Sequence, residues 1–168
     1  MPQYTVPYFP CPSPPCEVFP GRTLTPRPIL PLKLTAGALS WSCYAIVDSG
    51  ADDCVFPASY AAQLALNMTS GKKYPFAGVG SAEMAYFFDV RIAILGTPIE
   101  YEAPVGFTAA LDTTSFGGGL LGQHGFFDRF KVCFERANSL FVLSTGARHQ
   151  SDAPSPRRDV IPGTGDGL

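Results

Sequence analysis

Charged side chains are scarce in this chain. They make up 15% of 168 residues, 12 basic against 14 acidic, for a net charge of −2. Such a balance leaves no basic footprint for nucleic acid. With 46% hydrophobic residues, it also excludes an intrinsically disordered chain. Long apolar runs are missing too: none reaches the roughly 18 residues needed to span a bilayer. No basic segment followed by an apolar one opens the sequence, so neither a signal peptide nor a membrane partner is expected, and the expected location is cytoplasmic. The cysteines, Cys11, Cys16, Cys43, Cys54 and Cys133, are odd in number and do not describe a disulfide framework. Reduced, partly buried thiols are the default. The two histidines, His124 and His149, fall at no zinc-ligand spacing from a cysteine pair. No metal or other cofactor is expected, and there are no internal repeats.

Turn-forming residues are plentiful. Gly and Pro number 17 each, which favours an all-β architecture over helices. The length suits one domain with a real core. Residues 1–28 are dense in proline and read as an extended arm, whose Tyr4, Tyr8, Phe9 and Phe19 could pack over the domain or over a partner. A folded domain is expected over residues 29–143. From 144 to 168 apolar residues thin out and a disordered tail is expected. Within the domain, Ile29–Leu34 and Leu39–Val47 read as a strand hairpin, with Trp41, Tyr44 and Ile46 expected to face one way. Ala58 to Leu66 reads as a helix, with Ala61, Leu64, Ala65 and Met68 on its core face. Tyr74 to Leu95 reads as a long hairpin with Gly78-Val79-Gly80 at its tip. Ile99–Phe107 is a further strand. A short helix is expected over Phe126–Phe130, then a last hairpin from Lys131–Phe134 and Leu140–Leu143.

The most informative stretch is Ala45-Ile46-Val47-Asp48-Ser49-Gly50-Ala51-Asp52-Asp53-Cys54-Val55. Three apolar residues suited to a buried strand end in an acid, a hydroxyl and a glycine that permits a tight turn. A carboxylate beside a buried run has to be paired, hydrogen-bonded or functional, since a bare buried charge is costly. A loop-capping aspartate is the plain alternative. Further on, Gly119-Leu120-Leu121-Gly122 leads to Gly125-Phe126-Phe127-Asp128-Arg129-Phe130. Asp48-Ser49-Gly50-Ala51 after apolar residues resembles the active-site signature of aspartic proteases. Its continuation through Asp52 and Asp53, together with Leu120-Leu121-Gly122, resembles the retropepsin branch, with bacterial members the nearer in spacing.

That resemblance implies a mostly β fold: a retropepsin-like closed β-barrel of a single lobe, with a flap hairpin and one or two short helices. It implies an aspartic endopeptidase that hydrolyses peptide bonds with water activated by a pair of aspartates. No second Asp-Ser/Thr-Gly occurs in this sequence, so the pair would come from a homodimer, each chain giving Asp48. Carried over position by position, Asp48 would be the acid/base and Ser49 would bond across the two-fold axis. Gly50 would meet the substrate backbone, and Asp52 and Asp53 would bind the peptide. Ala51, Val55, Val79 and Leu121 would line apolar pockets. Gly78 and Gly80 would let the flap bend. The alternative to a phosphate loop at Gly78-x-Gly80 is favoured because a strand, not a helix, follows it.

One position departs from the family pattern. Many relatives carry an arginine after the apolar-apolar-Gly triplet, where it pairs with the first acid after Gly-Ala. Here Gln123 stands there, leaving Asp52 without its expected partner unless Arg129 or another chain supplies one. This departure is what favours a catalytically inactive retropepsin-fold module for dimerisation or peptide binding. An unrelated β-barrel ligand binder is a third reading. In a fourth, the proline-rich arm acts as an inhibitory propeptide, with Phe9, Phe19 and Leu24 in apolar pockets.

Overall fold

The computed structural model describes residues 2–77 and 82–145. From the N-terminus, β1 (Gln3–Pro7) and the hairpin β2 (Phe9–Pro12)–β3 (Leu24–Arg27) come first. They are followed by β4 (Ile29–Ala36), β5 (Leu39–Val47), β6 (Val55–Pro57), α1 (Ala58–Gln63) and β7 (Lys72–Ala77). Then come β8 (Ala82–Ile94), β9 (Glu100–Thr108), β10 (Gly119–Leu121), β11 (Phe130–Glu135) and β12 (Leu140–Thr145). Strands pair in the order β4-β5-β10-β6-β9-β8, and β4 also pairs with β8, so six strands close into a barrel. Closure removes the free edges an open sheet would expose. β8 serves two partnerships: its first half pairs with β7 to make the long hairpin, and its second half joins β9 and β4 in the ring.

Period-two alternation fills the barrel. Leu30, Leu32 and Leu34 of β4 point inward, as do Cys43, Ala45 and Val47 of β5, all nearly or wholly buried. The expectation that Trp41, Tyr44 and Ile46 share a face is corrected here. Residues 41 and 44 are an odd number apart, so Trp41 lies on the opposite face from Tyr44. Tyr44 and Ile46 point out of the barrel, and Tyr44 is 55% exposed. Phe56, Val105, Phe107 and Leu121 complete the interior, while Phe126, Phe141 and Leu143 join the same buried cluster. Burying each such side chain is worth about 1.5–3 kcal/mol.

Two expected helices differ. The first ends at Gln63 rather than Leu66, because Ala65 takes a left-handed backbone (φ 52°) that a helix cannot continue. Ala61 and Leu64 are buried as expected, but Ala65 is exposed. Phe126–Phe130 makes a single turn, with the Arg129 and Phe130 amides both donating to the Phe126 carbonyl, at 2.9 and 3.1 Å. Gly125 at φ 93° precedes it and β11 begins at Phe130. Too few residues remain for a nucleated turn to propagate.

The proline-rich segment is built into sheets. β1 adds to β12, with Gln3 opposite Ser144 and Pro7 opposite Leu140, giving the order β1-β12-β11. Ser144 and Thr145, expected in the tail, are therefore strand residues, and the remainder of the tail lies outside the described residues. β2 and β3 form their own ribbon, in which Pro10 faces Pro26. Alternating prolines at 10 and 12 are compatible with a two-stranded ribbon because every second amide of an edge strand points away from its partner. All five cysteines are free thiols. Among the described residues no helix is long and apolar enough to cross a membrane.

Candidate active site

Asp48 is the first residue beyond β5, and its backbone is clamped. Its amide donates to the Leu121 carbonyl at 3.0 Å, continuing the parallel pairing of β5 with β10 in which Leu120 faces Ile46 and Leu121 faces Val47. Its carbonyl accepts from the Ala51 amide at 3.2 Å, closing the turn Asp48–Ala51. One carboxylate oxygen, Oδ1, accepts the Gly50 amide at 2.9 Å. Asp48 is half-buried, and among the described residues its second oxygen has no partner. The tight turn is there, but Gly50 does not need a positive φ to make it. What it supplies is room: a Cβ there would stand 3.3 Å from Asp48 Oδ1.

The neighbouring loop is stitched to the segment after β10. The amides of Gln123 and His124 donate to the Ala51 and Asp52 carbonyls at 2.9 and 2.8 Å. Gly122 makes this possible, since a Cβ would lie 2.7 Å from the Ala51 carbonyl oxygen and closer still to that of Asp53. Gln123 takes part with its side chain too: Nε2 donates to the Ser49 carbonyl at 2.6 Å. Where the family pattern has an arginine, this chain has a neutral donor that fixes the same loop through its backbone.

The sequence-derived residues separate into groups. Gly50, Ala51, Asp52 and Asp53 come together with Tyr74, Pro75 and His124 around a cavity of about 330 Å3. Asp53 sits opposite His124, Oδ1 to Nδ1 3.3 Å, and the two residues also form a backbone bridge. Asp52 is exposed, and among the described residues nothing pairs with its carboxylate. Arg129 is engaged elsewhere: it lies 3.9 Å from Asp128, donates to the Glu102 carbonyl at 3.0 Å and sits over the Tyr101 ring. Ser49 is exposed and its hydroxyl has no partner within the described chain. Leu121 is fully buried on the inward face with Val47 and belongs to the barrel core, whereas Val55, though buried, pairs with the half-buried Leu120 on the outer, Ile46 side. Gly78, Val79 and Gly80 lie outside the described residues. Sequence reading passed over Tyr74 and His124. Nothing local marks Tyr74, whereas His124 directly follows the Gly122-Gln123 departure and could have been weighed there.

Two thiols lie in the barrel core, Cys54 beneath the Asp53–Gly122 loops and Cys43 nearer Tyr60. Burial pushes Cys43 and Cys54 up to about 12; for Cys54 a backbone hydrogen bond from Gly122 opposes the shift without cancelling it. Both are neutral packing groups at ordinary pH.

A closed six-stranded barrel with an aspartate turn clamped between β5 and β10 defines the fold as that of the retropepsin-like aspartic proteases. A crystal structure of a retropepsin-like aspartic protease from Rickettsia conorii matches with a TM-score of 0.53 over 85% of this chain and 99% of that one. At 14% sequence identity the match speaks to the fold alone. No protein-family model matches the chain, and no curated protein is similar to it in sequence.

Proposed function

We propose that this chain is an aspartic endopeptidase that works as a homodimer, each protomer giving Asp48 to one central site. The observation that carries this reading is the Asp48 turn: a carboxylate held by the Gly50 amide at 2.9 Å on a backbone fixed by Leu121. An aspartate that only capped its loop would not need a second strand, β10, dedicated to fixing it. With one such acid per chain, a pair requires two chains.

Two carboxylates in contact cannot both ionise, so they share one proton and titrate as a unit. The ionised member takes a proton from water as the water oxygen bonds to the scissile carbonyl carbon. The protonated member gives its proton to the carbonyl oxygen. The tetrahedral intermediate then collapses: the C–N bond breaks, the nitrogen takes up a proton, and acid and amine leave. Gly50, Ala51, Asp52 and Asp53 would bind the extended peptide, by backbone bonds from the floor and from the flap formed by β7 and β8 around Gly78, Val79 and Gly80. The inactive-module reading rested on Gln123. Its bond to Ser49 gives that residue a supporting task in the same loop, which favours the enzyme.

Purified protein incubated with a mixed peptide library from about pH 3.5 to 7.5, beside Asp48→Asn, tests this. Products absent with Asp48→Asn are expected. Equal cleavage by both proteins would remove Asp48 from the chemistry.

A further inference from the structure

The hairpin β2–β3 leaves a space beneath it. Between the hairpin and the outer face of β5 lies a second cavity of about 530 Å3, walled by Phe9, Cys11, Arg27, Tyr44, Tyr60 and Phe116. Its size falls in the range of pockets that hold a ligand or a large side chain. The walls are fixed from several directions. The Phe9 and Tyr44 rings approach at 6.2 Å. Tyr60 donates to the Gly117 carbonyl at 2.6 Å, holding the loop before β10. Gly118 lets that loop close on β5, since a Cβ there would stand 2.7 Å from the Tyr44 carbonyl oxygen.

Two observations say what belongs in it. First, position: Tyr44 and Ile46 lie on the face of β5 that Asp48 continues, and Leu120 and Ile29 flank Ile46 on the neighbouring strands. Four residues of strand put Tyr44 about 13 Å from Asp48, the span of three to four residues of extended peptide. Second, charge: Arg27 is the only charged side chain lining the cavity, and among the described residues no carboxylate pairs with it. The exposed aromatics Phe9 and Tyr44 at the rim suit an apolar guest, and the unpaired guanidinium suits a carboxylate beside it.

We propose that this cavity is a recognition pocket remote from the cleaved bond, taking a bulky apolar side chain of the substrate next to an acidic residue that meets Arg27. It rests on the peptidase reading of Asp48. The proline-rich hairpin then acts as one wall of a specificity pocket. It is not a plug: within one chain Phe19 and Leu24 are exposed, and Phe9 borders the cavity without filling it.

The test uses alanine-rich octapeptides in which a Phe-Asp pair is stepped through every position, with Ala-Asn as the control pair and Phe-Asn as the pair that isolates the preference for Asp over Asn. Binding is read on full-length Asp48→Asn protein by the alkylation rate of Cys11, which lines the cavity, against that of Cys16, which is exposed. Cleavage is read on the unaltered protein. Phe-Asp peptides are expected to slow Cys11 alkylation at least fivefold, with Cys16 unchanged. They are also expected to be cut about tenfold better than Ala-Asn controls when the pair lies three to four residues from the bond. Arg27→Gln should collapse the preference for Asp over Asn. Cleavage without Cys11 protection, or a preference that survives Arg27→Gln, overturns the pocket and leaves the peptidase standing. Cys11 protection without cleavage at any pH keeps the pocket as a binding site and overturns the peptidase. Neither protection nor cleavage overturns both.

Discussion

The barrel and the N-terminal hairpin are both all-β, yet they are held in different ways. Each barrel strand from β4 to β10 is paired on both sides, and its inward residues are among the most buried in the chain. The ribbon β2–β3 has one pairing per strand, and Phe9, Val18, Phe19 and Leu24 stay exposed. Free energy of local opening follows buried contacts and double-sided pairing. The barrel is therefore the part that can hold Asp48 to the tolerance chemistry requires, and the hairpin the part that can vary without disturbing it. On the proposed reading, chemistry would fall to the ring and choice of peptide to the ribbon.

The sharpest test of the barrel side is Asp48→Asn. The amide keeps the oxygen that accepts from Gly50, so thermal stability should stay within about 1 kcal/mol. Proton transfer is lost, and peptide cleavage should fall by about 10,000-fold or more, some 5 kcal/mol of activation free energy. Gly122→Ala should come next, costing about 3 kcal/mol of stability, because both obstructing groups are backbone carbonyls that no rotamer change can clear. A denaturant midpoint lowered at unchanged slope would show it. If Gly122→Ala were silent, the stitch between the two loops would not be what positions Asp48.

Alkaline titration probes the same interior. Cys43 and Cys54 are held near 12 against a usual value of 9.0, by burial. Between those values the unfolded chain loses the thiol protons and the folded chain keeps them, so the unfolded state binds fewer protons and stability falls as pH rises. The slope should approach about 1.4 kcal/mol per pH unit for each thiol above pH 9. Unfolding free energies at pH 8, 9 and 10 check this, with Cys43→Ala expected to remove one thiol's share of the slope, the buried Tyr101 and half-buried Tyr60 hydroxyls adding their own loss towards pH 10. Below about pH 8 the two thiols should contribute almost no pH dependence.

What could be read beforehand was whatever is written contiguously. Asp48 to Asp53 is one run of sequence, and so are its acid, its hydroxyl and its turn glycine; Leu120-Leu121-Gly122 is another. Strand periodicity gave the bounds of β5, though its faces went wrong because an odd spacing was taken for an even one. Partners that meet only through closure were harder. Tyr74 reaches the cavity of Asp52 and Asp53 from the base of a long hairpin, and no local pattern announces that. The proline run suggested an extended arm, packed over the domain or over a partner, rather than strands, since proline removes amide donors. In a two-stranded ribbon half the amides have no partner to lose, and the prolines at 10 and 12 fit there.

Smaller effects locate the border between the two regions. Gln123→Ala removes a neutral hydrogen bond to Ser49 and should cost up to about 1 kcal/mol, read as a lowered denaturant midpoint. Phe19→Ser should do least. Phe19 is 54% exposed, its ring lies under the Arg22 guanidinium at 5.0 Å, and its backbone is tied to Cys16 by paired bonds of 3.0 and 3.3 Å that survive the substitution. An exposed cation–π contact is worth about 0.5 kcal/mol, so the melting temperature should hardly move. A loss above about 1 kcal/mol would contradict the contrast between ring and ribbon as drawn from one chain. Among the described residues nothing would account for such a loss, and burial of Phe19 against a second copy would be the reading to test. The destabilisation would then grow as the protein is diluted, because only a contact between copies depends on concentration.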